Sequence, residues 1–237
     1  MHHQIEATTQ NSAAEHATHK LDLYNQHLGT VPDSVWQRST LTTLNLADNG
    51  LDEVSEAIGN LKQLQMLDLG HNQLTTIPAA IGNLSDLRFL YLSNNHFSTL
   101  PDTLQKLQKL IYFNCTDNQL CALPDWFGSL SALIELRLYN NQLATLPETP
   151  GNLRHLRELH LMHNQLTSLP ETIGKLTQLR KLDLQGNRLH ALPESIGALT
   201  ALGELNLRDN RLIALPDSLG NLPRLRHLDL RANRLST

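Results

Sequence analysis

Leucine sets the rhythm of this chain. It stands at Leu41, Leu64, Leu87, Leu110, Leu133, Leu156, Leu179, Leu202 and Leu225, every 23 residues and without an insertion. Within each unit the fourth, sixth and eleventh positions are again apolar and the ninth is Asn. Leu159, Leu161, Asn164 and Leu166 show this for the unit opening at Leu156. Apolar fourth and sixth positions, separated by polar ones, have the two-residue period of a strand with one buried face. The second half of that unit carries Leu169, Pro170, Ile173, Gly174 and Leu176. Pro at the fifteenth position suits the first turn of a short helix, and the Gly four residues later, such as Gly82 or Gly174, is expected to end it. The same register reaches back to Thr18, where a worn unit keeps Leu21, Leu23, Leu28, Val31, Pro32 and Val35. About ten units therefore fill residues 18–237, the first degenerate and the last partial, behind a polar segment 1–17.

One such unit cannot bury its own leucines, whereas stacked units can, so the pattern predicts a one-dimensional solenoid with strands about 4.8 Å apart. Asn49, Asn72, Asn95 and their successors at the ninth position carry two donors and an acceptor. They are expected to satisfy backbone groups where each strand leaves the sheet.

The consensus LxxLxLxxNxLxxLPxxIGxLxx resembles the leucine-rich repeat over residues 18–237. Its length and LPxxIGxL half are similar to the intracellular Ras-suppressor and plant Ras-group types, to cell-polarity scaffolds and to some plant-pathogen effectors. It departs from the shorter repeats of bacterial ubiquitin-ligase effectors and lacks the cysteine-rich flanking caps of extracellular receptors. The resemblance implies an α/β fold: a right-handed horseshoe solenoid with a parallel sheet on the concave face and short helices or 3-10 turns on the convex face.

Several positions break the consensus. Phe113 and Cys115 replace Leu at the fourth and sixth positions of one unit, one larger and one smaller, which conserves core volume. Trp126 and Phe127 add bulk on the outer side of the same unit, Pro150 should shorten the helix of the next unit, and Ser55 stands where Pro belongs. At the N-terminal end Trp36 is large enough to cover the leucines of the next unit and is expected to be buried. At the other end Leu225, Leu228, Leu230 and Leu235 face where a further repeat would stack. That end is expected to fray, to self-associate end to end, or to continue in a longer chain.

Composition and charge narrow the function. With 40% apolar but only 4% aromatic residues, the chain suits a repeated leucine core. A net charge of −4 gives no general case for nucleic acid or an anionic membrane. No apolar run is long enough to cross a bilayer, and the N-terminal residues contain no apolar stretch of the signal-peptide kind. Two Cys cannot form a disulfide framework, so a reducing, cytoplasmic setting is expected, the cell's own or a host's. From Leu179 onward nine Lys/Arg meet six Asp/Glu, a balance of +3 that leaves −7 for the rest. Arg188, Arg211 and Arg234 share the tenth position there, and Arg208 and Arg231 the seventh. They read as a solvated edge or as a docking rim for an acidic partner.

No phosphate-binding loop or nucleophile motif appears. His160 and His163, the pair in HLMH, fall on opposite parities of a strand and its exit and read as surface histidines. Asn83 and Asn114 begin short glycosylation-like triplets that carry no weight without secretion. The expectation is therefore a chain without catalysis, cofactor or metal, binding a protein partner on its concave face as a signalling scaffold or delivered effector. The alternative is the substrate-recognition part of a larger enzyme such as a ubiquitin ligase. The third, fifth and seventh positions span about 14 Å along each strand, and nine strand steps give about 43 Å. That face is about 600 Å², close to the roughly 800 Å² per partner of a standard interface. On it the register places Met66, Phe89 and Tyr112 at the third position, Tyr91, Arg137 and His160 at the fifth, and Tyr139 and Met162 at the seventh. Concentrating scarce aromatics there marks a protein-binding centre, with Arg137 expected to meet an acidic group on the partner.

Overall fold

A computed structural model describes residues 19–236. The expected polar segment 1–17 lies outside the described residues. Ten three-residue strands form one parallel sheet in chain order: β1 Lys20–Asp22, β2 Thr43–Asn45, β3 Met66–Asp68, β4 Phe89–Tyr91, β5 Tyr112–Asn114, β6 Glu135–Arg137, β7 Glu158–His160, β8 Lys181–Asp183, β9 Glu204–Asn206 and β10 His227–Asp229. Each strand covers the third to fifth positions of its unit, and residues 23 apart in sequence pair across the sheet, as Leu67 with Leu90. Most strands bury their central residue and leave the two flanking ones half-exposed, as the period of two requires. The buried leucines of successive units merge into one continuous core running from Val31 to Leu222. This is the solenoid that the repeat predicts.

The opposite side is a row of short 3-10 helices, such as Ala79–Asn83 and Glu171–Lys175. Their start and packing differ from expectation. Pro78 and Pro170 precede the first turn as extended N-caps, with φ of −63° and −69°. Ser55 caps the same position by accepting from the Ala57 N–H. The following Gly does not end the turn either, because Gly82 and Gly174 lie inside these helices and are absent from the left-handed region. The need is close approach. A Cβ on Gly82 would stand 2.6 Å from the Thr103 carbonyl oxygen, and one on Gly174 2.5 Å from that of Ser195. Gly lets one repeat lie directly against the next.

The left-handed requirement sits elsewhere, at the eighth position, where the chain turns out of the sheet. Asp48, His71, Asn94, Asp117, Asn140, His163 and Asp209 all have φ between 52° and 58°. Asn, Asp and His tolerate this conformation better than most residues. One position later the Asn ladder closes each turn. Asn72 donates to the carbonyls of Leu46, Leu69 and Gly70, and accepts from the N–H groups of Asn49 and Leu51. One amide therefore ties its own repeat to the preceding one.

The exceptions to consensus fit locally. Pro150 leaves its helix at four residues, Thr149–Asn152, where most neighbours have five. Phe113 and Phe127 are both buried and meet edge to face at 5.7 Å, and Cys115 is a fully buried free thiol. Phe127 thus belongs to the core and not to the outer side, while Trp126 stacks on it at 4.6 Å and donates to Asp102. Trp36 is 3% exposed and closes the N-terminal side of the core from α1, Asp33–Trp36. At the other end Leu228 is 40% exposed, against 1% for its counterpart Leu205. No helix among the described residues is long and apolar enough to cross a membrane.

Candidate protein-binding face

Strand parity places the third and fifth residues of every unit on the sheet's outer face, and register decides which of them meet. Met66, Phe89, Tyr112, Glu135, Glu158 and Lys181 run side by side along the third-position row. Asp68, Tyr91, Asn114, Arg137, His160 and Asp183 form the fifth-position row. Tyr112 is the hub. Its ring lies 4.9 Å from Tyr91 and 6.5 Å from Phe89, both tilted, and the Arg137 guanidinium carbon stands 5.6 Å from its centroid. The three rings are half-buried by one another. Burial pushes the Tyr112 phenol up to about 12, with the Glu135 carboxylate adding to the rise and Arg137 opposing it. Burial likewise raises Tyr91, helped by Asp68.

Arg137 differs from expectation in one respect. Its Nε already donates to Glu135, two residues away on the same strand. This partly exposed pair contributes at most about 1 kcal/mol, so an acidic partner would compete with it. Tyr139 and Met162 stand at the strand exits, half-buried and outside the ring contacts. His160 is not the surface histidine expected. It is 8% exposed, with Nε2 3.1 Å from Glu158 and 3.9 Å from Glu135, because the two glutamates close over it. His163 is exposed, in the left-handed turn.

The fifth-position row holds a signal that the expectations above did not use. In seven repeats this residue is Asp or Asn, and its Oδ1 accepts the N–H two residues on. Asp22, Asn45, Asp68, Asn114, Asp183, Asn206 and Asp229 all do so. Tyr91, Arg137 and His160 are the three exceptions, and no such bond reaches the N–H of Ser93, Tyr139 or Met162. Reading down that column of the sequence is enough to find them. Where the scaffold gives up a local hydrogen bond, it gains the residues of this face.

Three of the nine basic residues at the C-terminal end pair with neighbouring carboxylates. Arg231 pairs with Asp229, Arg208 with Asp209 and Lys181 with Glu204. The Arg231 hydrogen bonds hold the Asp229 carboxyl down at about 2. Cys115 is no nucleophile, since full burial pushes its thiol well above the usual range.

The profile described as "Leucine rich repeat" matches residues 17–74, 39–97 and 123–166, and the one described as "Leucine-rich repeat region" matches 146–237. Among solved structures, a leucine-rich repeat protein of Leptospira interrogans is 32% identical, with a TM-score of 0.89 over 98% of this chain. The chain spans 64% of that protein's length. The ectodomain of the Arabidopsis thaliana membrane receptor kinase GASSHO1/SCHENGEN3, solved in complex with Casparian strip integrity factor 2, is also 32% identical. There the TM-score is 0.63, covering 87% of this chain and 32% of that one. An internalin of Listeria monocytogenes, 23% identical with a TM-score of 0.69, covers 88% of this chain and 66% of its own, and shares the fold. No curated protein matches.

Proposed function

This chain belongs to the leucine-rich repeat family, and on that premise we propose that it is a non-catalytic module that binds a folded protein partner on its sheet face. The observation that carries this reading is the cluster of Phe89, Tyr91 and Tyr112 with Arg137 over its edge. In a chain with 4% aromatic residues, three rings on one solvent-facing patch form the kind of rigid anchor that dominates interface energetics. Met66 flanks the cluster in register, and Tyr139, His160 and Met162 extend it across the next two repeats. The receptor ectodomain captured with Casparian strip integrity factor 2 supports use of a repeat stack of this kind for recognition. The two free cysteines support a reducing setting, in which the module serves as a signalling scaffold or a delivered effector.

The test is a double substitution, Phe89→Ala with Tyr91→Ala, in the full chain, with partners captured from lysate by wild type. Circular dichroism should be unchanged while affinity for the captured partner falls by about 2 kcal/mol or more, a hot-spot magnitude. Normal binding by the folded double variant, or a partner footprint on the 3-10 helices, overturns the reading.

A further inference from the structure

We propose that Glu135, Glu158 and His160 form a binding site for a zinc-class divalent transition-metal ion. This inference stands apart from partner binding and does not depend on it. The three ligand atoms lie within 4.8 Å of one another. Two adjacent strands supply them, with Glu135 directly opposite Glu158 and His160 two residues further along β7. Around a tetrahedral ion with bonds of about 2.0–2.2 Å, ligand atoms sit roughly 3.3–3.6 Å apart. The His160 Nε2 already stands 3.1 Å and 3.9 Å from the two carboxylates, so small rotations of the glutamate side chains complete the triangle.

Two further features single out this cluster. Like charges directly opposite on neighbouring strands are unfavourable, and Lys181, the next residue in that row, turns away to Glu204 at 3.5 Å. The Lys181 ammonium is thus drawn to Glu204, and the Arg137 guanidinium is the cation bonded to Glu135. In addition, His160 stands where seven other repeats carry the Asp or Asn that ties down the strand exit. In place of that bond the repeat presents an imidazole 8% exposed, with its Nε2 aimed at both carboxylates. A nitrogen donor beside two carboxylates selects zinc and its neighbours over magnesium or calcium, which take oxygen donors. Three protein ligands leave a fourth position open. Arg137 donates to the same Glu135 oxygen that faces His160, so the ion competes with the guanidinium for this carboxylate.

Zinc alone, titrated calorimetrically into the full chain near neutral pH against a competing chelator, tests this. Wild type should take up one ion at this site, and Glu158→Gln and His160→Gln should each weaken it tenfold or more. His163→Gln, which alters an exposed neighbour outside the triangle, should leave it unchanged. Cobalt in place of zinc should give the visible absorption of a four-coordinate site, which Glu158→Gln abolishes. Circular dichroism checks the fold, and the half-exposed Glu158 decides alone if His160→Gln fails to fold. Uptake that is equal in wild type and variants, that follows His163, or that millimolar magnesium displaces overturns the proposal.

Discussion

The strand exits of repeats at Asp68 and at Tyr91 lie side by side in the sheet and are built differently. At Asp68 the side chain bends back to accept the Gly70 N–H at 2.8 Å. At Tyr91 it extends from the sheet and stacks on Tyr112. The backbones are paired in register, and the Asn ladder is present in both, through Asn72 and Asn95. The difference is therefore confined to one side chain. It teaches that this fold separates two tasks by position: the ninth residue and the leucines hold the stack, while the fifth is free to change. Three repeats have used that freedom, and all three border the aromatic face.

Substitutions sharpen this contrast if they move stability and binding independently. The largest expected effect is at Trp36, which caps the core and is far from the face. Trp36→Ala should destabilise by about 3–5 kcal/mol, the usual range for such a truncation, read by urea denaturation, with partner affinity unchanged at low temperature. An unchanged denaturation midpoint would refute its capping role. Next is Asn118, which binds the Leu92 and Thr116 carbonyls and accepts from Phe97. Asn118→Ala should cost about 1–3 kcal/mol by leaving buried backbone groups unpaired, again without a change in what is bound. Smaller and opposite in sign is Tyr91→Asn, which restores the local bond to Ser93. It should gain about 0.5–1.5 kcal/mol of stability, offset in part by lost ring contacts, while partner binding falls. Loss of stability together with retained binding would break the comparison.

The smallest effect concerns pH. Folded Tyr112 keeps its proton up to about 12 because burial disfavours the phenolate, whereas an unfolded tyrosine releases it near 10. Between those values the unfolded chain binds fewer protons than the folded one. Stability is thus fully present below about 10 and declines as pH rises through this window. In a spectroscopic titration, Tyr112→Phe should remove the last phenolate transition. A tyrosine titration finished near 10 in the folded wild type would contradict the packed environment of this ring.

Most of the fold was legible because its unit recurs with no insertion, so each strand and Asn turn is seen nine or ten times. Errors arose where the cause lay between repeats and not within one. The turn glycines looked like helix ends along the chain, yet they are required by a Thr or Ser carbonyl one repeat away. Phe127 looked external until Phe113 turned toward it. The aromatic row could be placed from register alone. The burial of His160 could not, since it depends on the rotamers of two glutamates, one of them 25 residues distant.

The Asn ladder has a mechanical consequence. Each amide bridges one repeat to its neighbour and reaches no further, as Asn164 does between the Leu138 and Leu161 carbonyls. Pulled from its two ends, the molecule has no distant contact that must break first. It should yield as a series of nearly equal links, each releasing 23 residues, or roughly 75–80 Å of extended chain. Such a stack is an extensible tether, able to give up length under load one unit at a time while the remaining repeats keep their face intact.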